Sequence, residues 1–138
     1  MNNKEKAQEF INIATQLNTL GFFDVFVEYS QPENRILSVL YSTNDVSPSY
    51  LSDKLNLSRV NITISLNHLE KLGYIRREID SHDRRKVICL LTEEGEKAIT
   101  TLTDKATLYL ANIFDKIGDD LSGSLVQIIK KIQDYYKL

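Results

Sequence analysis

The sequence predicts a mainly α chain with one small antiparallel β-hairpin, and three observations predict it. Two short amphipathic segments start at Ser47 and Ser58 and are separated by a break at Asn56-Leu57, the spacing of a helix-turn-helix. Two β-rich runs, 74–79 and 86–91, enclose an all-polar stretch and read as a hairpin, which makes the unit winged. Longer helical patterns lie on both sides of this unit.

Each element can be justified in chain order. From about Asn3, Phe10, Ile13, Ala14, Leu17 and Leu20 recur on one side at helical spacing. Gly21 interrupts, and FFDVFVEY resumes. That segment is apolar nearly all round, which predicts burial on more than one side. Its β-branched and aromatic residues would also suit a strand; a helix is the preferred reading. Ser30-Gln31-Pro32-Glu33 reads as a capping box, with Ser30 as cap and Glu33 reaching back. Ile36, Leu37, Val39, Leu40 and Tyr41 carry that helix to about Ser42. STNDVSPS reads as a polar loop.

The helix-turn-helix follows. Ser47 caps and Pro48 occupies the first helical position, where a missing N–H costs nothing. Leu51 and Leu55 share a face. Ser58 caps the second helix, whose Ile62, Leu66 and Leu69 form a core stripe. VNITISL also alternates with period two, so a strand fits there locally; the caps and the later leucine spacing favour helix. Gly73 supplies a left-handed residue after Leu72. Beyond the hairpin, Thr92 caps a long helix with Glu93 and Glu94 in its first turn. Its stripe runs from Ala98 to Ile117. Gly118-Asp119-Asp120 breaks it, and Leu121, Leu125, Ile128, Ile129, Ile132 and Tyr136 mark a last helix.

The chain of 138 residues reads as a single domain, 1–138. Within it, 30–92 form the winged helix-turn-helix, and 1–29 and 93–138 form a helical part. The terminal helices hold more apolar residues than a small winged core can cover. A second copy would cover them, giving a two-fold dimer with two reading heads. The alternative is that they complete a monomeric core.

Composition narrows the function. There is no apolar run of membrane-spanning length, and the first ten residues lack a signal-peptide core, so a cytoplasmic protein with no membrane partner is expected. One cysteine forms no internal disulfide. Two histidines, one cysteine and no Gly-rich phosphate loop offer neither a metal cluster nor a nucleophile–base pair, so neither an enzyme nor a cofactor is expected. Net charge is −2, yet residues 54–86 hold eight Lys/Arg against four acids, and the remainder nine against fifteen. A basic patch on an acidic body suits phosphate contact, although a solvated charged face looks similar. Double-stranded DNA and a second copy of the chain are the expected partners. The alternative is a winged helix used as a protein-docking module.

The candidate DNA-contacting residues lie on the second helix and the wing. At 100° per residue, Val60, Ile64, Asn67 and Lys71 face away from the core, with Asn61 and His68 beside them. Val60 and Ile64 are odd on an open surface. They could touch thymine methyls, pack on another element, or stand as tolerated exposed residues. Ser58 is first a cap and second a phosphate contact through the helix N-terminus. Arg59 can reach phosphate or guanine. Arg84 and Arg85 at the wing tip have no evident structural task and suit minor-groove or phosphate contact. His82 reads as a solvated loop residue. Cys89, between Ile88 and Leu90, reads as a small core residue rather than a redox sensor. Phe22, Phe23, Phe26, Tyr29 and Tyr41 could line an effector pocket, but core is the preferred reading.

Residues 83–92, DRRKVICLLT, followed by EEG, resemble the wing signature of the MarR family of transcription regulators. LSDKLNLS and LNHLEKLGYIRR resemble that family's helix-turn-helix and first wing strand, so the resemblance covers roughly residues 30–96. It implies an obligate dimer on a short palindrome, usually a repressor released by a small ligand or by oxidation. By the same resemblance, Arg85 is the wing arginine and Asp83 the carboxylate that orients it. Ile64 departs from the family, which usually carries an arginine or another polar residue there.

Overall fold

The structure is a computed structural model that describes residues 1–136. Its elements are α1 (Asn3–Thr19), α2 (Asp24–Tyr29), α3 (Pro32–Ser42), α4 (Pro48–Leu55), α5 (Arg59–Lys71), β1 (Ile75–Ile79), β2 (Val87–Leu91), α6 (Glu93–Ile117) and α7 (Asp119–Tyr136). The mainly α architecture with one hairpin is as the sequence predicts. The backbone divides into two compact units, with the division between Leu102 and Thr103.

The first unit holds the core. Ile36, Leu37 and Leu40 of α3, Leu51 and Leu55 of α4, Ile62, Leu66 and Leu69 of α5, Ile75, Cys89 and Ile99 form one buried cluster with Val46. Each helix contributes the stripe its periodicity announced. Ser47 Oγ accepts from the Tyr50 N–H at 3.1 Å, and Ser58 Oγ accepts from the Asn61 N–H at 3.1 Å, so both caps are satisfied. Asn56 ends α4 in the left-handed region, φ 52°, a conformation that asparagine tolerates better than most residues. Gly73, φ 78°, ends α5. The strands pair antiparallel with Ile75 opposite Leu91, Arg77 opposite Cys89 and Ile79 opposite Val87.

Four local expectations are corrected. Ser30 does not cap α3: it is the C-cap that follows α2, and Gln31 precedes α3 without a side-chain cap bond. Glu33 instead turns to His68. The 42–49 stretch is not purely polar connection, because Val46 is buried and bridges Cys89, whose N–H donates to the Val46 carbonyl at 2.7 Å. The all-round apolar segment forms α2 as preferred, yet only Val25 is buried. Phe22, Phe23, Phe26 and Tyr29 are half-buried and Tyr29 packs against the core cluster, while Val27 and Tyr41 are exposed, so of the aromatic set only Tyr29 joins the core's edge. Finally, Gly118 alone, φ 90°, separates α6 from α7, and Asp119 and Asp120 already belong to α7.

Between β1 and α6 the backbone approaches very closely. Thr92 Oγ1 donates to the Gly73 carbonyl at 2.6 Å and accepts from the Gly95 N–H at 3.1 Å, confirming the Thr92 cap. A Cβ at Gly95 would fall 2.0 Å from the Tyr74 carbonyl oxygen. Only glycine fits there.

In the second unit, the far part of α6 keeps a half-buried stripe through Ala106, Tyr109, Leu110, Ile113 and Phe114. No residue of α7 is buried. In the first unit α1 is likewise without a buried residue, although Asn2 and Glu5 give it a complete capping box.

Candidate nucleic-acid interface

The candidate surface is built on α5, the second helix of the helix-turn-helix. Its buried side is Ile62, Ser65, Leu66 and Leu69. Its opposite side carries Val60, Ile64, Asn67 and Lys71, with Asn61 and His68 beside them, all exposed. The sequence reading of the two faces is therefore correct, and Ile64 is not a packing residue: it is 62% exposed and Val60 68%. Ser58 stands at the N-terminus, where the first N–H groups of α5 point outward, and Arg59 is exposed on the first turn.

The orientation of α5 is held by three ties. Arg35 of α3 donates to the Leu55 carbonyl at 2.9 Å, fixing the end of α4. Ser52 Oγ donates to the Leu57 carbonyl at 2.5 Å and closes the turn. His68 Nδ1 lies 2.6 Å from Glu33 Oε1, joining α5 to the start of α3. His68, a candidate contact, thus already has a partner on one ring nitrogen.

A further tie was not visible in the sequence. Arg77 of β1 reaches back to α5, donating to Asn67 Oδ1 at 2.7 Å and to Glu70 Oε1 at 2.9 Å. The Arg77 hydrogen bond holds the Glu70 carboxyl below its usual range, partly offset by desolvation. The same bond raises the Arg77 guanidinium. The cluster needs residues three apart on α5 to meet a strand that returns after Gly73, and no periodicity encodes that return.

The wing is shaped by its two aspartates. Asp80 Oδ1 accepts from the His82 N–H at 2.8 Å. Asp83 Oδ1 accepts from the Arg85 N–H at 3.0 Å and from Arg85 Nε at 3.2 Å. These bonds lower the Asp83 carboxyl, the backbone N–H contributing most. Asp83 is thus hydrogen-bonded to both the backbone and the side chain of Arg85. Arg84, Arg85, Lys86 and His82 are exposed. Cys89 is fully buried, and desolvation pushes its thiol up to about 11. A thiol held neutral in the core is a packing group rather than a nucleophile.

The family described as "Winged helix DNA-binding domain" matches residues 33–106. The chain belongs to this winged helix family. The HTH-type transcriptional regulator PrsX of Escherichia coli is 36% identical over 98 residues, covering 70% of this chain and 58% of PrsX. The chain thus spans little more than half the length of that relative. PapX of Escherichia coli, another HTH-type transcriptional regulator, is 31% identical over 127 residues, covering 91% of this chain and 77% of PapX. Among solved structures, a MarR family protein from Bacillus stearothermophilus superposes with a TM-score of 0.75 at 24% identity, covering 100% of this chain and 99% of that one. Streptococcus pneumoniae FabT, solved in complex with DNA, gives 0.76 at 20%, covering 98% of each. The winged helix therefore has the MarR-type fold, and the match spans the flanking helices as well as the reading head. Among the described residues, no helix is long and apolar enough to cross a membrane.

Proposed function

We propose that this chain is a cytoplasmic, sequence-specific double-stranded DNA-binding transcription regulator. It acts by binding rather than catalysis, as a homodimer on a palindromic site, most simply as a repressor. The observation that carries the reading is the exposed outward face of α5 with Arg59 on its first turn, together with Arg84, Arg85 and Lys86 exposed on the wing. Ser58, Arg59, Val60, Asn61, Ile64, His68 and Lys71 form the groove-facing set. Arg84 and Arg85, the latter oriented by Asp83, form the backbone or minor-groove set.

The dimer is supported by α1 and α7. Both are amphipathic and neither buries a residue within the chain. We assign residues 30–92 to reading and residues 1–29 and 93–138 to pairing. A small-molecule effector is compatible with this plan: Phe22, Phe23 and Phe26 are half-buried, with ring centroids 4.9 to 6.3 Å apart, and present apolar surface beside the reading head.

The test is a titration of random-sequence duplex DNA across a salt series. Affinity should fall linearly on logarithmic axes, with a slope set by the phosphates neutralised. Arg84→Ala with Arg85→Ala should flatten that slope by ~2 per subunit. The exposed Val60 and Ile64 also favour a second reading, a protein-docking face, which predicts no salt-dependent duplex binding at all.

A further inference from the structure

We propose that Val60 and Ile64 read thymine methyl groups in the major groove, so that each half-site preferred by this chain carries thymine at fixed positions. The inference rests on the DNA-binding reading above and specifies what that surface recognises.

Three observations carry it. First, the helix docked in a major groove presents its N-terminal residues to the base edges. On α5 those outward residues are Val60 and Ile64, the most exposed apolar side chains of the helix. Both are β-branched and stiff at χ1, so little rotamer freedom is lost on contact. They are separated by one turn, a rise of about 6 Å, against a base-pair spacing of about 3.4 Å. Two methyls one or two steps apart are within their span.

Second, the fold has already engaged the polar side chains nearby. The Thr63 hydroxyl donates to the Arg59 carbonyl at 2.8 Å. Asn67 Oδ1 accepts from Arg77, and bidentate pairing of asparagine with adenine needs that oxygen. His68 Nδ1 is held by Glu33. What the first two turns deliver is an apolar pair beside Arg59 and Asn61. The one apolar group on a major-groove base edge is the thymine C5 methyl.

Third, cations accompany the patch on the same winged unit. Arg59 adjoins Val60 in the first turn of α5, and Arg84, Arg85 and Lys86 are exposed on the wing. An apolar pair with an arginine beside it, on a unit with a basic wing, fits a polyanion with methyl groups in its groove better than an apolar protein surface.

The test uses the full chain and duplexes it enriches from a random pool. Uracil then replaces thymine one position at a time, which removes only the methyl. At one or two positions per half-site, uracil should weaken specific binding by about fourfold, the equivalent of one buried methyl, while binding to non-specific duplex stays constant. Ile64→Ala should weaken the thymine site and abolish uracil sensitivity at one position; Val60→Ala should abolish it at another. The melting temperature checks that each variant is folded, and either variant alone suffices. Specific, salt-dependent binding with no uracil sensitivity anywhere overturns the inference and leaves the DNA-binding reading standing. Uracil sensitivity that survives both substitutions assigns the methyl contacts to other residues and also overturns it. Absence of salt-dependent duplex binding overturns both.

Discussion

Helices α5 and α7 are both amphipathic, yet they are stabilised differently. The 13 residues of α5 bury Ile62, Ser65, Leu66 and Leu69 in the chain's own core. The 18 residues of α7 bury none, leaving Leu121, Leu125, Ile128, Ile129 and Ile132 exposed. Isolated helices of this length are marginal in water, because tertiary packing supplies most helical stability. The contrast separates two uses of an apolar stripe. In α5 it fixes the helix's outward face from behind. In α7 it stays exposed over the described residues, and on the proposed homodimer it is the surface that would pair.

The contrast can be broken or sharpened by substitution. Leu66→Ala removes a fully buried side chain from the α5 stripe and should cost about 2–5 kcal/mol by denaturant unfolding. A loss under about 1 kcal/mol would mean the core is looser than its burial indicates. Gly95→Ala should cost about 1–3 kcal/mol or more, because the new methyl collides with the Tyr74 carbonyl. On α7 the same kind of change should act on assembly instead. Ile128→Ser with Ile132→Ser should move the sedimentation mass from about twice the 15.9 kDa chain to once, with the reading head still folded. A wild-type chain that sediments as a monomer at micromolar concentration would remove the two-half-site mechanism.

Smaller effects test the tie between α5 and the wing. Arg77→Ala should cost no more than about 1 kcal/mol, since the Arg77–Glu70 pair is partly exposed. Its pH dependence has a definite sign. The Glu70 carboxyl is depressed in the folded chain, so its contribution is present above the ordinary carboxylate range and is lost as pH falls through the folded value. Wild type and Arg77→Ala should therefore converge in stability on acidification. The smallest change is expected at Cys89. Its buried thiol, pushed up to about 11, should resist alkylation at pH 8 in the folded chain and react at once in denaturant.

How much of this was legible in the sequence follows from what kind of interaction each feature uses. Ser47, Ser58, Gly73 and the Ile62–Leu69 stripe were readable because caps and periodicity are local. The exposure of Val60 and Ile64 was readable for the same reason. The capping box assigned to Ser30 failed because Pro32 fixes where α3 starts, one residue later than that motif assumes, and Glu33 finds His68, 35 residues away, instead. The Arg77–Asn67–Glu70 cluster and the Val46–Cys89 bridge are likewise pairings across the fold, with no sequence period to announce them. The aromatic segment misled because composition reports how apolar a helix is, not how much of the chain is present to cover it.

The clamp at Thr92 has a mechanical consequence. One hydroxyl holds the Gly73 carbonyl, just past the end of α5, and the Gly95 N–H, in the first turn of α6. The Thr92 N–H adds a bond to the Tyr74 carbonyl at 3.1 Å, and Gly95 lets the two backbones touch. The junction therefore has no slack. The first turn of α6 is thereby keyed directly to the C-terminal end of α5, with one hydroxyl and touching backbone where a compliant loop would otherwise lie.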